Sequence, residues 1–339
     1  MTSLKLSDLC NIRYGKDHKE LAGGPYPVYG SGGIMRYVEK SISQGPSVLI
    51  PRKGTLGNLF YTDGPFWTVD TLFWTEIDDR QIIPKYLYYL LKTEDLAGLN
   101  IGTAVPSLST DVLNEIQLSI PEMETQKKTI ALLDSIESKI NINNQINDYL
   151  RELASRLFDQ LVERCVDSTM LGTYIDISSG KRPPVKSPHL TDECFIPLYG
   201  ASSQMGYTSE HLTDEKLLII GRVGTHGVVQ RVNSKAWPSD NTLVIRPSHY
   251  EIAFQLLQRI DYASLNRGST QPLITQADLK ACEVPLIDSK SLGLYESQTG
   301  ELMALYDHNF RESTVLAQLR DTLLPGLMSG EIDASQVVI

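Results

Sequence analysis

The chain has 339 residues, 41% apolar and 21% charged, enough for two or three domains with buried cores; this ordinary balance excludes a peptide, a disordered chain and a low-complexity fibre. Its 31 basic and 41 acidic side chains give a net charge of −10, which excludes a protein that coats nucleic acid by bulk attraction and confines any such contact to local patches. No run approaches ~18 consecutive apolar residues, and residues 1–10 show neither a basic leader nor an apolar h-region, so a cytoplasmic protein without membrane contact is expected. Cys10, Cys165, Cys194 and Cys282 lie far apart, with no CxxC pair and no clustered histidines. They read as reduced thiols, and no metal site is expected.

Along the chain, residues 1–120 hold 11 basic and 13 acidic side chains, and so do residues 166–288. The first of these stretches mixes β-like runs, Ser47–Pro51 and Leu72–Ile77, with Gly- and Pro-rich turns and a helical patch, Tyr86–Lys92, the pattern of an α+β domain. After Pro121, residues 124–164 contain no Pro or Gly, a stretch that would be about 60 Å long if fully helical. Within it Leu133, Ile136, Ile140, Asn143, Asn147, Leu150, Ala154, Leu157 and Leu161 alternate steps of three and four, the spacing of a coiled-coil seam.

The chain then repeats itself. Tyr29-Gly30 recurs as Tyr199-Gly200, Gly54-Thr55-Leu56-Gly57 as Gly224-Thr225-His226-Gly227, Trp67 as Trp237 and Asp70 as Asp240, each displaced by 170 residues. Further on the displacement is 166: Gly102 with Gly268, Pro106 with Pro272, and Leu150, Leu153, Leu157 and Leu161 with Leu316, Leu319, Leu323 and Leu327, as a loop deletion of about four residues would give. The second copy has its own β-like runs, Leu217–Gly221 and Thr242–Arg246, a helical patch, Ile252–Arg259, and a second seam through Leu302, Tyr306, Asn309, Leu316, Leu323 and Leu327. Asn143 and Asn309 occupy matching seam positions, where a polar side chain fixes register at some cost in stability. The alternative, each helix lying on its own domain, stays open at this point. The reading is an α+β fold with two similar globular domains separated by two long antiparallel coiled-coil helices in a pseudo-twofold internal repeat. Its boundaries are 1–121, 122–165 (first helix), 166–288, 289–330 (second helix) and a tail, 331–339. Such a pair of modules on a strut matches the dyads of duplex DNA, each module facing one half-site, and the divergence of Lys53 to Val223 and Leu56 to His226 predicts an asymmetric target.

Three runs, Ile50-Pro51-Arg52-Lys53-Gly54-Thr55-Leu56-Gly57, Gly102-Thr103-Ala104-Val105-Pro106-Ser107-Leu108 and Ile120-Pro121-Glu122-Met123-Glu124-Thr125-Gln126, resemble the specificity (S) subunits of type I restriction-modification systems. The resemblance covers nearly the whole chain. It implies that 1–121 and 166–288 are target recognition domains reading the two halves of a split double-stranded DNA target, and that the helices are spacers on which methyltransferase (M) subunits, two of them, dock. Restriction (R) subunits would join for cleavage. It further implies no cofactor in this chain, with S-adenosylmethionine, and ATP and Mg2+ for restriction, in the partner subunits. The sequence departs from the pattern where Pro285-Leu286-Ile287-Asp288 replaces the Pro-x-x-Glu-x-Gln entry to the second helix, and where Pro325-Gly326 is expected to interrupt its last turns.

The candidate DNA contacts follow the repeat. Arg52, Lys53 and Thr55, with Arg222, Thr225 and His226, belong to the Gly-Thr-x-Gly turns, where a guanidinium could reach a phosphate or guanine. Tyr29 and Ser31, with Tyr199, Ser202, Ser203 and Gln204, form a first polar loop. Thr103 and Ser107, with Arg267, Ser269, Thr270 and Gln271, form a second, in which Gln suits adenine. A plain tight turn with solvated side chains is the alternative for each. Trp67 and Trp237 read as core, and Asp70 and Asp240 as side chains satisfying buried turn amides.

No catalytic residue is assigned. GxxxxGK[ST], N/D-P-P-Y/F and GxGxxG are all missing, and Glu137-Ser138-Lys139 reads as a surface ion pair on the helix. A non-enzymatic DNA-recognition subunit is therefore expected. A protein-interaction scaffold without DNA readout, or an enzyme with an unrecognised site, remain as rivals.

Overall fold

The computed structural model describes residues 1–103, 105–267 and 273–337, and divides into two compact units, residues 1–141 with 313–339 and residues 142–312. The strands of unit 1 are β1 (Thr2–Lys5), β2 (Cys10–Tyr14), β3 (Tyr26–Gly30), β4 (Gly33–Val38), β5 (Ser47–Pro51), β6 (Phe60–Thr62), β7 (Trp67–Thr68), β8 (Leu72–Ile77) and β9 (Gln117–Ile120). Its helices are α1 (Leu6–Leu9), α2 (Pro84–Lys92), α3 (Thr110–Asn114) and the first part of α4 (Met123–Val162). The strands form sheets in the orders β2-β8-β5-β6, β4-β3-β7 and β1-β9. Central β5, Ser-Val-Leu-Ile-Pro, is buried at every position, as a strand covered on both faces must be.

Unit 2 repeats this architecture. It holds β10 (Ser168–Met170), β11 (Ile175–Ser179), β12 (Ile196–Tyr199), β13 (Gln204–Thr208), β14 (Leu217–Gly221), β15 (Gln230–Val232), β16 (Trp237–Pro238), β17 (Thr242–Pro247) and β18 (Glu283–Pro285). Its short helices are α5 (Tyr250–Gln258) and α6 (Gln276–Lys280), followed by α7 (Ser289–Ser329). The sheet orders, β11-β17-β14-β15, β13-β12-β16 and β10-β18, are those of unit 1 with every strand replaced by its counterpart. The change of displacement from 170 to 166 falls in one loop: six residues separate β8 from α2, whereas two separate β17 from α5.

Both long helices are continuous. Helix α7 starts at Ser289, where Asp288 Oδ1 accepts from Lys290 N and Ser291 N at 3.0 Å; the Ser291 side chain first, and then these backbone bonds, lower the Asp288 pKa. Contrary to the sequence expectation, Pro325-Gly326 does not interrupt it. Pro325 forfeits one backbone bond, and the following turn is held by the burial of Leu324, Leu327 and Met328. Gly326 leaves room for the Ile332 side chain, which would lie 2.6 Å from a Cβ there, and the helix ends before Gly330 at φ +80°.

The pairing of α4 with α7 is antiparallel within each unit. In unit 1, Ile130 and Leu133 share a core with Leu323, Leu324, Leu327 and Met328, and Arg320 donates to Glu137 at 2.7 Å. Glu137, read as part of a surface ion pair, makes that pair with Arg320 on the facing helix. In unit 2, Asn143 donates to Glu312 at 2.7 Å, Asn147 to the Tyr306 carbonyl at 3.1 Å, and Tyr295 to the Ala154 carbonyl at 2.8 Å. Of the seam residues, Ile136, Asn143, Asn309 and Leu327 are buried, and Ile140, Leu150, Leu157, Leu161, Tyr306, Leu316 and Leu323 are half-buried. Phe158, 1% exposed, is buried in the unit 2 core beside the half-buried Leu157. Asn309 binds Asn147 Oδ1 at 3.0 Å, so the register-setting amide pair is Asn147 with Asn309 rather than the matched Asn143.

Candidate nucleic-acid interface

In each unit three loops meet. The turn after β5 follows Arg52, whose N–H donates to Thr71 O at 2.9 Å and whose carbonyl accepts from Leu108 N at 3.0 Å; Arg222 does the same with Asn241 O at 2.8 Å and Ile274 N at 3.0 Å. Isolated bridges pair Lys53 with Ser107 and Val223 with Leu273. The Gly-Thr-x-Gly turns are thereby tied to the second polar loop, as the repeat required of any shared surface. The glycines Gly54 and Gly224 sit at φ +93° and +87°, a conformation that side chains disfavour. The hairpin tip after β3 joins the same turn in unit 1 through Asn58 Nδ2, which donates to Ser31 O at 2.9 Å; in unit 2, Gln230 Nε2 donates to Gly200 O at 2.8 Å.

The candidates differ in what they present. Lys53, Thr55, Thr103, Ser202, Ser203 and Thr225 are exposed, and Ser31, Ser107, Gln204 and His226 half-buried. The Arg52 guanidinium lies 5.3 Å from the Tyr14 ring centroid and donates to the Asp70 carbonyl at 3.3 Å, whereas that of Arg222 makes no hydrogen bond or ion pair among the described residues. His226 Nδ1 lies 3.1 Å from Gly221 O. The Arg267 guanidinium is bound to Asp278, whose carboxyl is held below its usual range first by Thr275 and then by Arg267. The Tyr29 ring packs among Leu49, Phe66 and Trp74, and burial raises the Tyr199 phenol's pKa, so both rings support the loop from the core side. Ser269, Thr270 and Gln271 lie outside the described residues.

Other expectations are corrected. Asp70 and Asp240 are exposed; the turns carrying them are closed by backbone bonds, Leu72 N to Val69 O at 3.0 Å and Thr242 N to Ser239 O at 3.1 Å. Three repeated features escaped the sequence reading. Asn100 Oδ1 accepts from Ser107 N at 2.8 Å and Asn266 Oδ1 from Leu273 N at 2.9 Å, shaping the second loop; the signal was Leu-Asn-x-Gly recurring 166 residues on. Gly15-Lys16 and Gly180-Lys181 recur at a displacement of 165, outside the 170- and 166-residue registers. A Cβ on Gly15 or Gly180 would fall 2.0 or 2.1 Å from a carbonyl oxygen, and the indoles of Trp67 and Trp237 donate to Lys16 O and Lys181 O at 2.9 and 2.8 Å. Met35 and Met205 are the third pair.

Among the described residues no group of His, Cys, Asp or Glu is placed to hold a metal, no helix is long and apolar enough to cross a membrane, and all four cysteines are free. Burial pushes the Cys10 thiol up to about 12.

Comparison with known proteins agrees with this repeat. The specificity subunit of the type I restriction enzyme MjaIX of Methanocaldococcus jannaschii is 23% identical over 377 aligned residues, covering 94% of this chain and 86% of that protein. A putative type I specificity subunit N-terminus of Mycoplasma pneumoniae is 26% identical over 140 residues, covering 39% of this chain and 75% of that protein. The crystal structure of the type I restriction-modification S subunit from M. genitalium has the same fold, with a TM-score of 0.66 at 18% identity over 96% of each chain. Residues 1–152 and 170–289 each match the family described as the type I restriction modification DNA specificity domain, and the chain therefore belongs to that family, the non-catalytic specificity subunits of type I restriction-modification systems.

Proposed function

We propose that the three-loop surface of each unit reads one half of a bipartite double-stranded DNA target, and that the long helices scaffold methyltransferase subunits, two per chain. The observation that carries this reading is the repetition of the same backbone bonds around Arg52 and Arg222, in two copies whose surrounding side chains have diverged. Backbone bonds of that kind fix where a loop stands, and exposed side chains on it then select bases or grip phosphates. Arg52, Lys53 and Thr55 with Ser31, Thr103 and Ser107 form the first contact set; Arg222 and Thr225 with Ser202, Ser203, Gln204 and Arg267 form the second.

The net charge of −10 fits a division of labour in which the M subunits neutralise part of the phosphate charge, so the isolated chain binds DNA weakly. S-adenosylmethionine would be held by those subunits, and ATP and Mg2+ by an R subunit. The assembly would act in the cytoplasm. The test is co-expression with the products of neighbouring reading frames, followed by genome-wide mapping of methylated adenines. A split motif is expected, and Arg52→Ala and Arg222→Ala should each weaken binding by the assembled complex. An unsplit motif, or none, overturns the reading.

A further inference from the structure

Asp70 and Asp240 are exposed carboxylates with no assigned task. Their turns are closed by backbone, and among the described residues neither carboxylate makes a hydrogen bond or ion pair. On a surface that approaches a polyanion such a charge repels phosphate and weakens binding. It nevertheless recurs at the same place in both copies, although its neighbours have changed: Thr71 becomes Asn241, Lys53 becomes Val223 and Leu56 becomes His226.

Each of these aspartates lines an open groove, of about 710 Å³ in unit 1 and about 500 Å³ in unit 2, and each shares it with a hairpin methionine, Met35 or Met205. These two side chains are 60% and 40% exposed, large values for an apolar residue present twice. They lie over bare glycines: a Cβ on Gly30 would come 2.4 Å from the Met35 sulfur, and one on Gly200 3.1 Å from that of Met205. The groove, lined also by His18 and Lys19 in unit 1 and by Arg182 and Lys186 in unit 2, thus offers an apolar, polarizable wall beside an acceptor that, unlike those cations, cannot bind phosphate. The groups in the major groove of DNA that satisfy a carboxylate are the exocyclic amino groups of adenine and cytosine.

Resting on the DNA-reading function above, we propose that Asp70 and Asp240 each accept a hydrogen bond from a base amino group, adenine N6 or cytosine N4. They thereby read a feature common to the two half-sites, while the diverged neighbours read what differs. The experiment maps the methylated motif produced by the chain with its methyltransferase partner, comparing the unsubstituted protein with Asp70→Asn and Asp240→Asn. Each substitution keeps the side chain's size and replaces one acceptor oxygen by a donor.

Each variant should relax or alter one position in one half-site, lowering discrimination there about 10- to 100-fold and leaving the other half unchanged. Binding to duplexes carrying purine in place of adenine, or 2-pyrimidinone in place of cytosine, at that position identifies which amino group is read. Thermal midpoints should match the unsubstituted chain, since neither carboxylate closes its turn. An unaltered motif in both variants overturns this proposal alone, as does a change of affinity that is uniform over all sequences or accompanied by a fall in the midpoint. No split motif from the unsubstituted complex overturns the DNA-reading function itself, and this proposal with it.

Discussion

The two units share a topology but fasten their short helix to a long one by different chemistry. In unit 1 the neutral amide of Gln126 on α4 accepts from Ile83 N at the start of α2 at 2.9 Å and donates to the carbonyls of Pro121 and Gln81 at 3.1 and 3.4 Å. In unit 2 the equivalent of Gln126 is the buried Leu292, and one turn later Glu296 Oε1 accepts from Glu251 N and Ile252 N at 2.8 and 3.0 Å, placing a carboxylate at the N-terminus of α5. The four-residue shortening of the preceding loop accounts for the exchange, because the carbonyl of Gln81 belongs to the stretch that unit 2 lacks. The loss of the Pro-x-x-Glu-x-Gln pattern in the second copy is thus a change of cap, and the helix after it is intact.

A second difference lies nearby. Arg231 bonds Glu251 at 2.6 Å and Asp307 at 2.7 Å, all three side chains being under 10% exposed. Burial pulls the Arg231 pKa down, but its bonds to Asp307 and Glu251 outweigh this, and the net displacement is upward. The corresponding residue of unit 1 is Tyr61, whose ring lies 5.9 Å from that of Tyr88. One backbone arrangement therefore accepts an ionic or an aromatic joint, and the two should fail differently.

The largest contrast is expected there. Arg231→Met takes the ion-pair partner from buried Asp307 and leaves buried Glu251 with Lys216 alone, at 3.2 Å, and should cost unit 2 about 3–5 kcal/mol, whereas Tyr61→Phe should cost unit 1 about 0.5 kcal/mol or less. Denaturant unfolding followed by Trp237, the one tryptophan of unit 2, and by Trp67 and Trp74 in unit 1, measures each. Equal losses would erase the distinction. The helix seams provide the next test. Leu327→Ala opens an apolar cavity in unit 1 at about 2–5 kcal/mol, and Asn309→Leu takes the donor from Asn147 Oδ1 in unit 2 at about 1–3 kcal/mol; an Asn309→Leu variant that gains stability would show that the amide pair serves register alone.

Smaller again is the effect of Glu296→Gln. Burial raises the Glu296 pKa, so the folded chain holds that proton more tightly than the unfolded chain. The stability it contributes is present below the unfolded value and is lost as pH rises through the folded one. Thermal scans from pH 4.5 to 7 should therefore show unit 2 weakening less with rising pH in the Gln variant, which keeps the accepting oxygen. Parallel pH slopes would assign the raised pKa no role. The slightest expected effect concerns Cys10, whose thiol should resist alkylation at pH 8 in the folded chain and react after unfolding. Rapid labelling of Cys10 in the native protein would mean that its environment is open.

Much of this was legible along the chain. The β-like runs at Ser47–Pro51 and Leu217–Gly221 are inner strands of their sheets, the Pro- and Gly-free stretch is α4, and the three-four spacing is its buried and half-buried stripe. The Gly-Thr-x-Gly turns, one part of the proposed interface, stood out because glycine at positive φ leaves a trace in sequence. Asn100 and Asn266, whose side chains hold the second loop, recur in the same 166-residue register, but a repeated Asn does not by itself show that its side chain bonds the backbone seven residues on. Asp70 and Asp240 were misjudged for a related reason. Aspartate in a turn usually serves the turn, and only the coordinates show that backbone already does so here.

The sequence by itself determined that there are two copies, where two inner strands, one short helix and one long helix of each run, and that a polar pair punctuates the apolar seam, since hydrophobic period and glycine placement are local properties that a fixed displacement exposes. Only the tertiary structure decided which amide meets which, that Glu296 replaces Gln126, and that an aspartate and a methionine share a groove in each unit. Those contacts join residues tens to more than a hundred positions apart, and their geometry depends on loop lengths and on packing closed over the whole unit, which no local pattern encodes.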